Sequence, residues 1–227
     1  DLPGSMAWGT FFFDADNDGW LDIYNNNQSG FGNIPNSLFH NQGNGVFLDV
    51  ADSLGIDSWN NGIGSAYGDL DNDGDLDFVL AGHSSDEGSI LLFENTSTPR
   101  NWIQFILQTE MSNPQAIGSI IEVYEVSGLQ KRYMTAGDGY CSQNTLIQHF
   151  GLGELTFIDS IVIYWPNGER ENFGSLNSNH RYNLLQGTGV SSTNIGRNNF
   201  PAEYSLKLYP NYPNPFNGQT EISYYLP

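Results

Sequence analysis

Short runs of β-branched and aromatic residues, separated by turns rich in glycine and asparagine, dominate the hydrophobic pattern of this chain. Two of these runs, at residues 22–24 and 77–80, come directly after acidic segments. Further runs follow residue 100, at 102–107, 119–126, 130–135, 146–150, 158–165 and 182–185. The pattern contains no long amphipathic helix. It is typical of strands and predicts an all-β protein.

Residues 1–99 contain an internal repeat. Each copy holds an acidic run, a strand, a polar stretch and a second strand that ends in asparagine, at residues 37–41 and 90–95. Between the copies, Gly-Asn-Gly at 43–45 predicts a hairpin turn into a strand at 46–50. Such repeats are typical of propeller blades or other β-arrays. Two copies are too few to close a ring.

Acidic residues recur at alternate positions in two nine-residue runs, 14–22 and 69–77. Carboxylates occupy positions 1, 3, 5 and 9 of each run: Asp14, Asp16, Asp18 and Asp22, then Asp69, Asp71, Asp73 and Asp77. Neighbouring charges about 4 Å apart repel by about 4 kcal/mol per pair at an effective dielectric near 20. A divalent ion removes this repulsion, and hard oxygen ligands in this number favour calcium over magnesium. The sequence therefore predicts two calcium sites.

The acidic runs differ from EF-hand loops. An EF-hand loop has a bidentate glutamate at position 12 and a helix after it. Here position 12 is Asn25 in the first run and Leu80 in the second, and strand-forming residues follow the ninth position. We therefore expect each run to link two strands, with the ninth-position aspartate closing the site. An Asp/Gly-rich surface turn without an ion is the alternative.

The segments around the acidic runs resemble FG-GAP (VCBS) repeats of integrin-α-type propellers. The resemblance rests on MAWG at 6–9, AYG at 66–68, LFHN at 38–41 and GVFLDV at 45–50. It implies that the eight aspartates are calcium ligands. It also implies ligation by the backbone carbonyl at position 7 of each loop, which is Trp20 in the first and Asp75 in the second.

Residues 100–186 lack acidic loops and predict a β-sandwich or barrel. This segment resembles the ASPIC/UnbV domain that follows FG-GAP repeats in cartilage-acidic-protein-like chains. The matching residues are GDGYCSQ at 137–143, HFGLG at 149–153, and Ile-Asp at 158–159 with WPNG at 165–168. The resemblance implies a module with no established chemistry. Cys141 stands where the family more often has an aliphatic residue, so we expect it to be buried.

Residues 187–203 are rich in Gly, Ser, Thr and Asn and predict a linker. The segment at 204–227 is similar to the opening of a C-terminal sorting domain of the bacterial type IX secretion pathway, although Gly218 replaces the usual proline. That resemblance implies a protein secreted by, or held on the outer-membrane surface of, a Gram-negative bacterium. Its tail would engage secretion or anchoring machinery. The start at Asp1 predicts a mature fragment or a shortened chain.

Composition excludes several classes of partner. A net charge of −19 with only 7 Lys and Arg argues against nucleic acid and anionic membranes, and two divalent ions would still leave −15. No apolar run is long enough for a transmembrane helix. Cys141 is the only cysteine, which rules out an intramolecular disulfide.

We predict no catalytic residues, no organic cofactor and no enzymatic activity. The four histidines show no HExxH or HxH spacing, and no GxSxG, Walker or GxGxxG motif occurs. Aspartates that ligate a metal are poor general acids. His149 is expected to be structural, and the five tryptophans are expected to be packing residues. Tyr140, in a Gly-Asp-Gly turn, is a candidate ligand-contact residue.

The leading hypothesis is a calcium-stabilised, non-enzymatic extracellular or cell-surface module for binding or adhesion, whose partner is a protein or a glycan. One alternative is an accessory, glycan-binding region of a secreted polysaccharide-processing enzyme whose catalytic domain lies elsewhere. A spacer with a purely architectural role is the third possibility.

Overall fold

A computed structural model describes residues 6–28, 34–58, 62–83, 88–97 and 100–193, together with short strands beyond residue 206. The chain divides into two compact units, residues 1–196 and 197–227. The predicted repeats and the predicted ASPIC/UnbV-like segment therefore share one unit.

The repeats form two antiparallel sheets of propeller-blade type. The first has the order β1-β2-β3-β4 and the second β5-β6-β7. Their strands are β1 (Met6–Phe13), β2 (Asp22–Gln28), β3 (Ser37–Asn41), β4 (Phe47–Asp49), β5 (Gly62–Gly68), β6 (Asp77–His83) and β7 (Gly88–Phe93). One short helix, α1 (Ala51–Leu54), follows β4. Each acidic run links the first two strands of its sheet, as the sequence predicts.

Aromatic rings join the two blade-type sheets. Phe11 and Phe13 on β1, Tyr24 on β2 and Phe78 on β6 are buried in one hydrophobic cluster. The Tyr24 and Phe78 ring centroids lie 4.6 Å apart, across the boundary between the sheets. Aromatic pairs at this spacing add about 0.5–1.5 kcal/mol beyond the area that they bury.

The remainder of the first unit contains a β-sandwich. Its strands are β8 (Asn101–Gln108), β9 (Ile120–Glu125), β10 (Gly128–Tyr133), β11 (Gln148–Gly153), β12 (Phe157–Ile158), β13 (Ser160–Tyr164), β14 (Arg170–Asn172), β15 (Leu176–Asn177), β16 (His180–Leu185) and β17 (Gly189–Thr193). The sheets β10-β9-β13-β14 and β11-β8-β16-β17 enclose one core, which includes Phe105, Ile121, Phe150 and Ile163. The all-β prediction, with propeller-type repeats and a sandwich, is confirmed.

The linker prediction for residues 187–203 is wrong for its first part, because Gly189–Thr193 forms β17 and pairs with β16. Pairing with β17 satisfies backbone groups along an edge of β16, and composition alone does not reveal such a partner. The remainder of the linker lies outside the described residues. Within 204–227, only β18 (Lys207–Leu208), β19 (Tyr212–Asn217), β20 (Gln219–Glu221) and β21 (Tyr224–Tyr225) are described.

Strand β8 is buried on both faces, and its two faces serve different neighbours. Ile103 and Phe105 point into the sandwich core, and the alternate residues Trp102 and Gln104 point the other way. On that second face, Gln104 donates a hydrogen bond to Asp69, and the Trp102 indole lies against Gly74. The acidic loops of the repeats therefore pack on a sheet of the sandwich.

Gly151 on β11 permits a close approach between the sandwich and the first loop. A Cβ atom at this position would clash with the Asp14 carboxylate and lie 2.5 Å from the backbone of Asn17. The neighbouring Gly153 amide donates to the Asn17 carbonyl at 2.8 Å. Close packing against the repeats thus explains the first glycine of the HFGLG motif, Gly151.

Gly151→Ala should lower the free energy of unfolding by about 2–3 kcal/mol, because overpacking against backbone forces it to shift. Gly64→Ala is a matched control, since a Cβ there would meet the Tyr140 carbonyl oxygen at an ordinary 3.4 Å. Urea unfolding of both variants checks this, and equal stability of the two would contradict the packing described.

Candidate metal centres

Backbone amides fold the first loop around its aspartates. The Asp14 carboxylate accepts hydrogen bonds from the Asp18 amide at 3.0 Å and the Gly19 amide at 2.8 Å. The Asp22 carboxylate accepts one from the Ala15 amide at 2.9 Å. Asn17 and Gly19 have φ of 58° and 93°, a left-handed region that asparagine and glycine tolerate best. The turn needs these residue types at these two positions.

The second loop repeats this geometry. Asn72 and Gly74, at the same loop positions, have φ of 60° and 95°. The ninth-position Asp77 accepts from the Leu70 amide at 2.9 Å and from the Asn95 amide at 2.8 Å. In the first copy, the Asn41 amide donates to Asp22 at 2.7 Å in the corresponding manner. An asparagine at the end of the third strand in the first sheet, and two residues beyond it in the second, therefore anchors each loop.

Most predicted ligands come together. In three groups, Asp14–Asp16–Asp22, Asp16–Asp18–His40 and Asp69–Asp71–Asp73, the potential ligand atoms lie within 4.8 Å of one another. Within the described part of the chain, Asp75 and Asp77 fall outside these groups. Asp77 is instead held by the two amides that close its loop. Ligation by the position-7 carbonyls of Trp20 and Asp75 stays a prediction.

Buried oxygens without a hydrogen-bond partner test whether a cation fits these loops. The Asp69 side chain is only 2% exposed, and its Oδ2 accepts bonds from Gln104 and Arg181. Its Oδ1 has no partner, and neither has Oδ1 of Asp16 or of Asp75. Buried carboxylate oxygens without donors are costly unless a cation takes them. The donor set is hard oxygen, which fits calcium, and bound calcium would supply positive charge to neutralise the carboxylates.

Burial makes these carboxylates hard to ionise without a cation. It raises the pKa of Asp14 to about 7 and that of Asp77 to about 6. Burial, together with the adjacent Asp73, raises the pKa of Asp75 to about 8. Neighbouring aspartates add repulsion in each case. Both loops therefore favour protonation or cation binding over free charge.

Two residues near the first loop are additional to the sequence-based assignment. His40 Nδ1 lies 3.0 Å from Asp22 Oδ1, and the ring belongs to the group with Asp16 and Asp18. Its position, one residue before the anchoring Asn41, was the available signal. Arg100 binds the Asp16 carboxylate at 2.8 Å. No local pattern in the sequence indicates that ion pair, since the two residues are far apart along the chain.

His149 and Tyr140 are placed largely as expected. His149 is buried, its Nε2 lies 2.6 Å from Asn17 Oδ1, and its Nδ1 lies 3.2 Å from Gln104 Nε2. Burial lowers the pKa of His149 to about 3, so the ring is neutral and structural. Tyr140 is 44% exposed and contacts Trp8, with ring centroids 4.9 Å apart. Its role in ligand contact stays a prediction.

Two smaller expectations are wrong. Cys141 is exposed rather than buried, because it occupies a left-handed turn position, φ 53°, where the chain reverses between Gly139 and Ser142. Among the tryptophans, Trp102 and Trp165 are buried, whereas Trp20 is 52% exposed although the aspartates at both ends of its loop are buried. Trp59 lies outside the described residues.

Comparison with known families now adds to this geometry. Residues 14–80 match the family described as FG-GAP-like repeat, and residues 109–191 match the family described as ASPIC and UnbV. The FG-GAP-like match includes both acidic loops in full, and the ASPIC/UnbV match includes β9 through β16. The regions resembling these families in sequence are thus matched, with somewhat different boundaries.

Three relatives that share one name match parts of this chain. Cartilage acidic protein 1 of Xenopus tropicalis is 28% identical over 163 residues, which cover 69% of this chain and 25% of that protein. Its namesakes in Mus musculus and Homo sapiens are 48% and 44% identical over 59 residues, 26% of this chain and 8% of each relative. The chain thus spans a quarter or less of the length of these relatives.

Without a cation, the stability of the chain should fall as pH rises from about 4 to about 8. The folded aspartates, with pKa raised to about 7 for Asp14 and about 6 for Asp77, hold protons that the unfolded chain has already lost. That stabilisation is complete below the unfolded pKa and disappears as pH passes through the folded values. His149 has the opposite effect. Burial lowers its pKa to about 3, so below about pH 6.5 the unfolded chain binds a proton that the folded chain does not, and stability rises with pH.

Between pH 5 and pH 8, His149 contributes only up to its unfolded pKa near 6.5, whereas the stabilisation from Asp14 and Asp77 together falls by more over the same range, so the aspartates set the sign. Thermal unfolding in chelator at pH 5 and pH 8 measures the effect, and calcium should stabilise more at pH 8 because it binds the ionised form. Higher stability in chelator at pH 8 than at pH 5 would contradict this account.

Proposed function

We propose that this chain is a calcium-binding, non-enzymatic module that binds a protein or glycan partner outside the cell. The observation that carries the proposal is the pair of matching acidic loops, each with a buried carboxylate oxygen that lacks a donor. The matches to FG-GAP-like repeat and ASPIC/UnbV families, and the relatives called cartilage acidic protein 1, support an extracellular setting.

Calcium has a structural role in this proposal. In each loop the cation would be held by the predicted aspartates, and it would neutralise charge that burial makes costly. The same loops pack on the β11-β8-β16-β17 sheet, so a loaded loop would stiffen the junction between repeats and sandwich. In this proposal the loop residues hold the ion and order the backbone, and they have no catalytic role.

The proposal also places the protein outside the cell. Among the described residues, no helix has the length and apolar character needed to span a bilayer. Export from a Gram-negative bacterium, with the tail at 204–227 engaging secretion or anchoring machinery, is proposed from the sequence resemblance alone.

Chelation should lower the melting temperature, and calcium should restore it. With dissociation constants near 10⁻³ M and roughly 10 mM calcium, each site contributes about 1.4 kcal/mol, or about 5–10 °C for two sites together. Differential scanning calorimetry in chelator and in calcium, with sodium chloride matching ionic strength, measures the shift. Asp71→Asn with Asp73→Asn should remove about half of it. Identical melting with and without calcium would sink the proposal.

Glycan binding is the second candidate for the partner, favoured by the Trp8–Tyr140 ring pair at the junction of repeats and sandwich. Half-exposed aromatic rings offer a stacking surface for sugars. On a glycan array, Tyr140→Ala should abolish any specific signal. Tyr133→Ala, at an exposed tyrosine elsewhere on the sandwich, should preserve it. A signal that Tyr140→Ala leaves intact would exclude this surface.

A further inference from the structure

Three polar residues form a row across one face of the sandwich. Gln104 lies on the central strand β8, directly paired with His149 on β11 and with Arg181 on β16. All three side chains point toward the acidic loops. Gln104 Nε2 contacts His149 Nδ1 at 3.2 Å, and Arg181 Nε donates to Gln104 Oε1 at 2.7 Å. The sheet register therefore builds one continuous hydrogen-bonded row.

Each end of this row reaches the same position of a different loop. His149 Nε2 lies 2.6 Å from Asn17 Oδ1, and Arg181 Nη1 donates to Asn72 Oδ1 at 3.0 Å. Asn17 and Asn72 both occupy loop position 4 with left-handed backbone. Position 4 lies between the ligand aspartates at positions 3 and 5. Holding the asparagine therefore orients the ligands on both sides of it.

The donors and acceptors of the row are mutually consistent. Gln104 Nε2 donates to His149 Nδ1 and to Asp69 Oδ2, which leaves the proton of the neutral His149 ring on Nε2, facing Asn17. Arg181 also donates to Asp69 Oδ2, at 3.3 Å. Loss of one member leaves buried neighbours without partners, which costs more than one isolated hydrogen bond.

We propose that Asn17, His149, Gln104, Arg181 and Asn72 form a polar relay that couples the two cation loops through the sandwich. The proposal rests on calcium binding as the proposed function and adds regulation of affinity between its sites. In this proposal, Asn72 of the second loop acts through the relay on the cation ligands of the first loop. Asn17 of the first loop acts in the same way on the ligands of the second. Both are positioning residues. The sandwich thereby acts as a shared support for both sites.

Asn17 also touches the second loop directly, since its Nδ2 donates to the Gly74 carbonyl at 3.1 Å. The Asn95 side chain likewise donates to the Ala15 carbonyl at 2.7 Å. An experiment on the relay must therefore start from Asn72. Asn72 is linked to the first loop through Arg181 and the rest of the row.

The test measures calcium affinity of the first loop in a chain whose second site is disabled by Asp71→Asn and Asp73→Asn. In this single-site chain, Asn72→Gly should weaken calcium binding about 3-fold or more by titration calorimetry, within the range seen for coupled networks. Glycine keeps the left-handed backbone, so the loop can still form. Asn179→Gly is the matched control, because Asn179 has φ 59° and contacts Asn101 and Trp102 instead. It should leave the affinity unchanged.

A double-mutant cycle identifies the path. Asn72→Gly added to Gln104→Ala should produce no further loss at the first loop, because the relay is already broken. Additive losses, or equal affinities for Asn72→Gly and Asn179→Gly, would overturn the relay. Should Asn72→Gly fail to fold, Arg181→Gln replaces it with the same expected loss. Absence of calcium binding by the unaltered chain would refute the proposed function itself, and the relay with it.

Discussion

Crowding of carboxylates in a buried loop is the constraint on which this structure depends. Asp14 and Asp69 begin their loops almost wholly enclosed by protein, with further aspartates two and four residues later. Backbone amides satisfy part of each cluster, and the unpaired oxygens of Asp16, Asp69 and Asp75 show that the amides are insufficient. A divalent cation resolves the conflict between burial and charge more completely than protonation, since it also fixes the positions of its ligands.

The position of these loops gives the constraint wider consequences. They link the first two strands of both blade-type sheets, and they also pack against the polar face of the β11-β8-β16-β17 sheet. Order in a loop is therefore transmitted to the repeats on one side and to the sandwich on the other. Under the proposed function, bound calcium would therefore hold the repeats and the sandwich in a fixed arrangement.

The loops could be predicted from sequence because their determinants are local. Aspartates at alternate positions and residues tolerant of left-handed backbone lie within nine consecutive residues, and the periodicity of the strands is local as well.

The relay could not be predicted, since Asn17 and His149 lie 132 positions apart and meet only through the packing of two sheets. The family resemblance included His149 and Gly151 in the HFGLG motif but did not explain why those residues occur there. The structure explains both, because each contacts the first loop. Composition did not predict β17, because that strand depends on pairing with β16. The residue type usual in the family did not predict the exposure of Cys141, because the turn geometry places its side chain at the surface.

Direct counting of bound calcium tests the central claim most closely. Equilibrium dialysis against radioactive calcium at roughly ten times the expected dissociation constant, about 10 mM, should find close to two ions per chain. Asp69→Asn, which alters a second-loop ligand whose side chain is 2% exposed, should reduce the count to about one. A count near zero, or a count that Asp69→Asn does not change, would contradict the account of these loops as calcium sites.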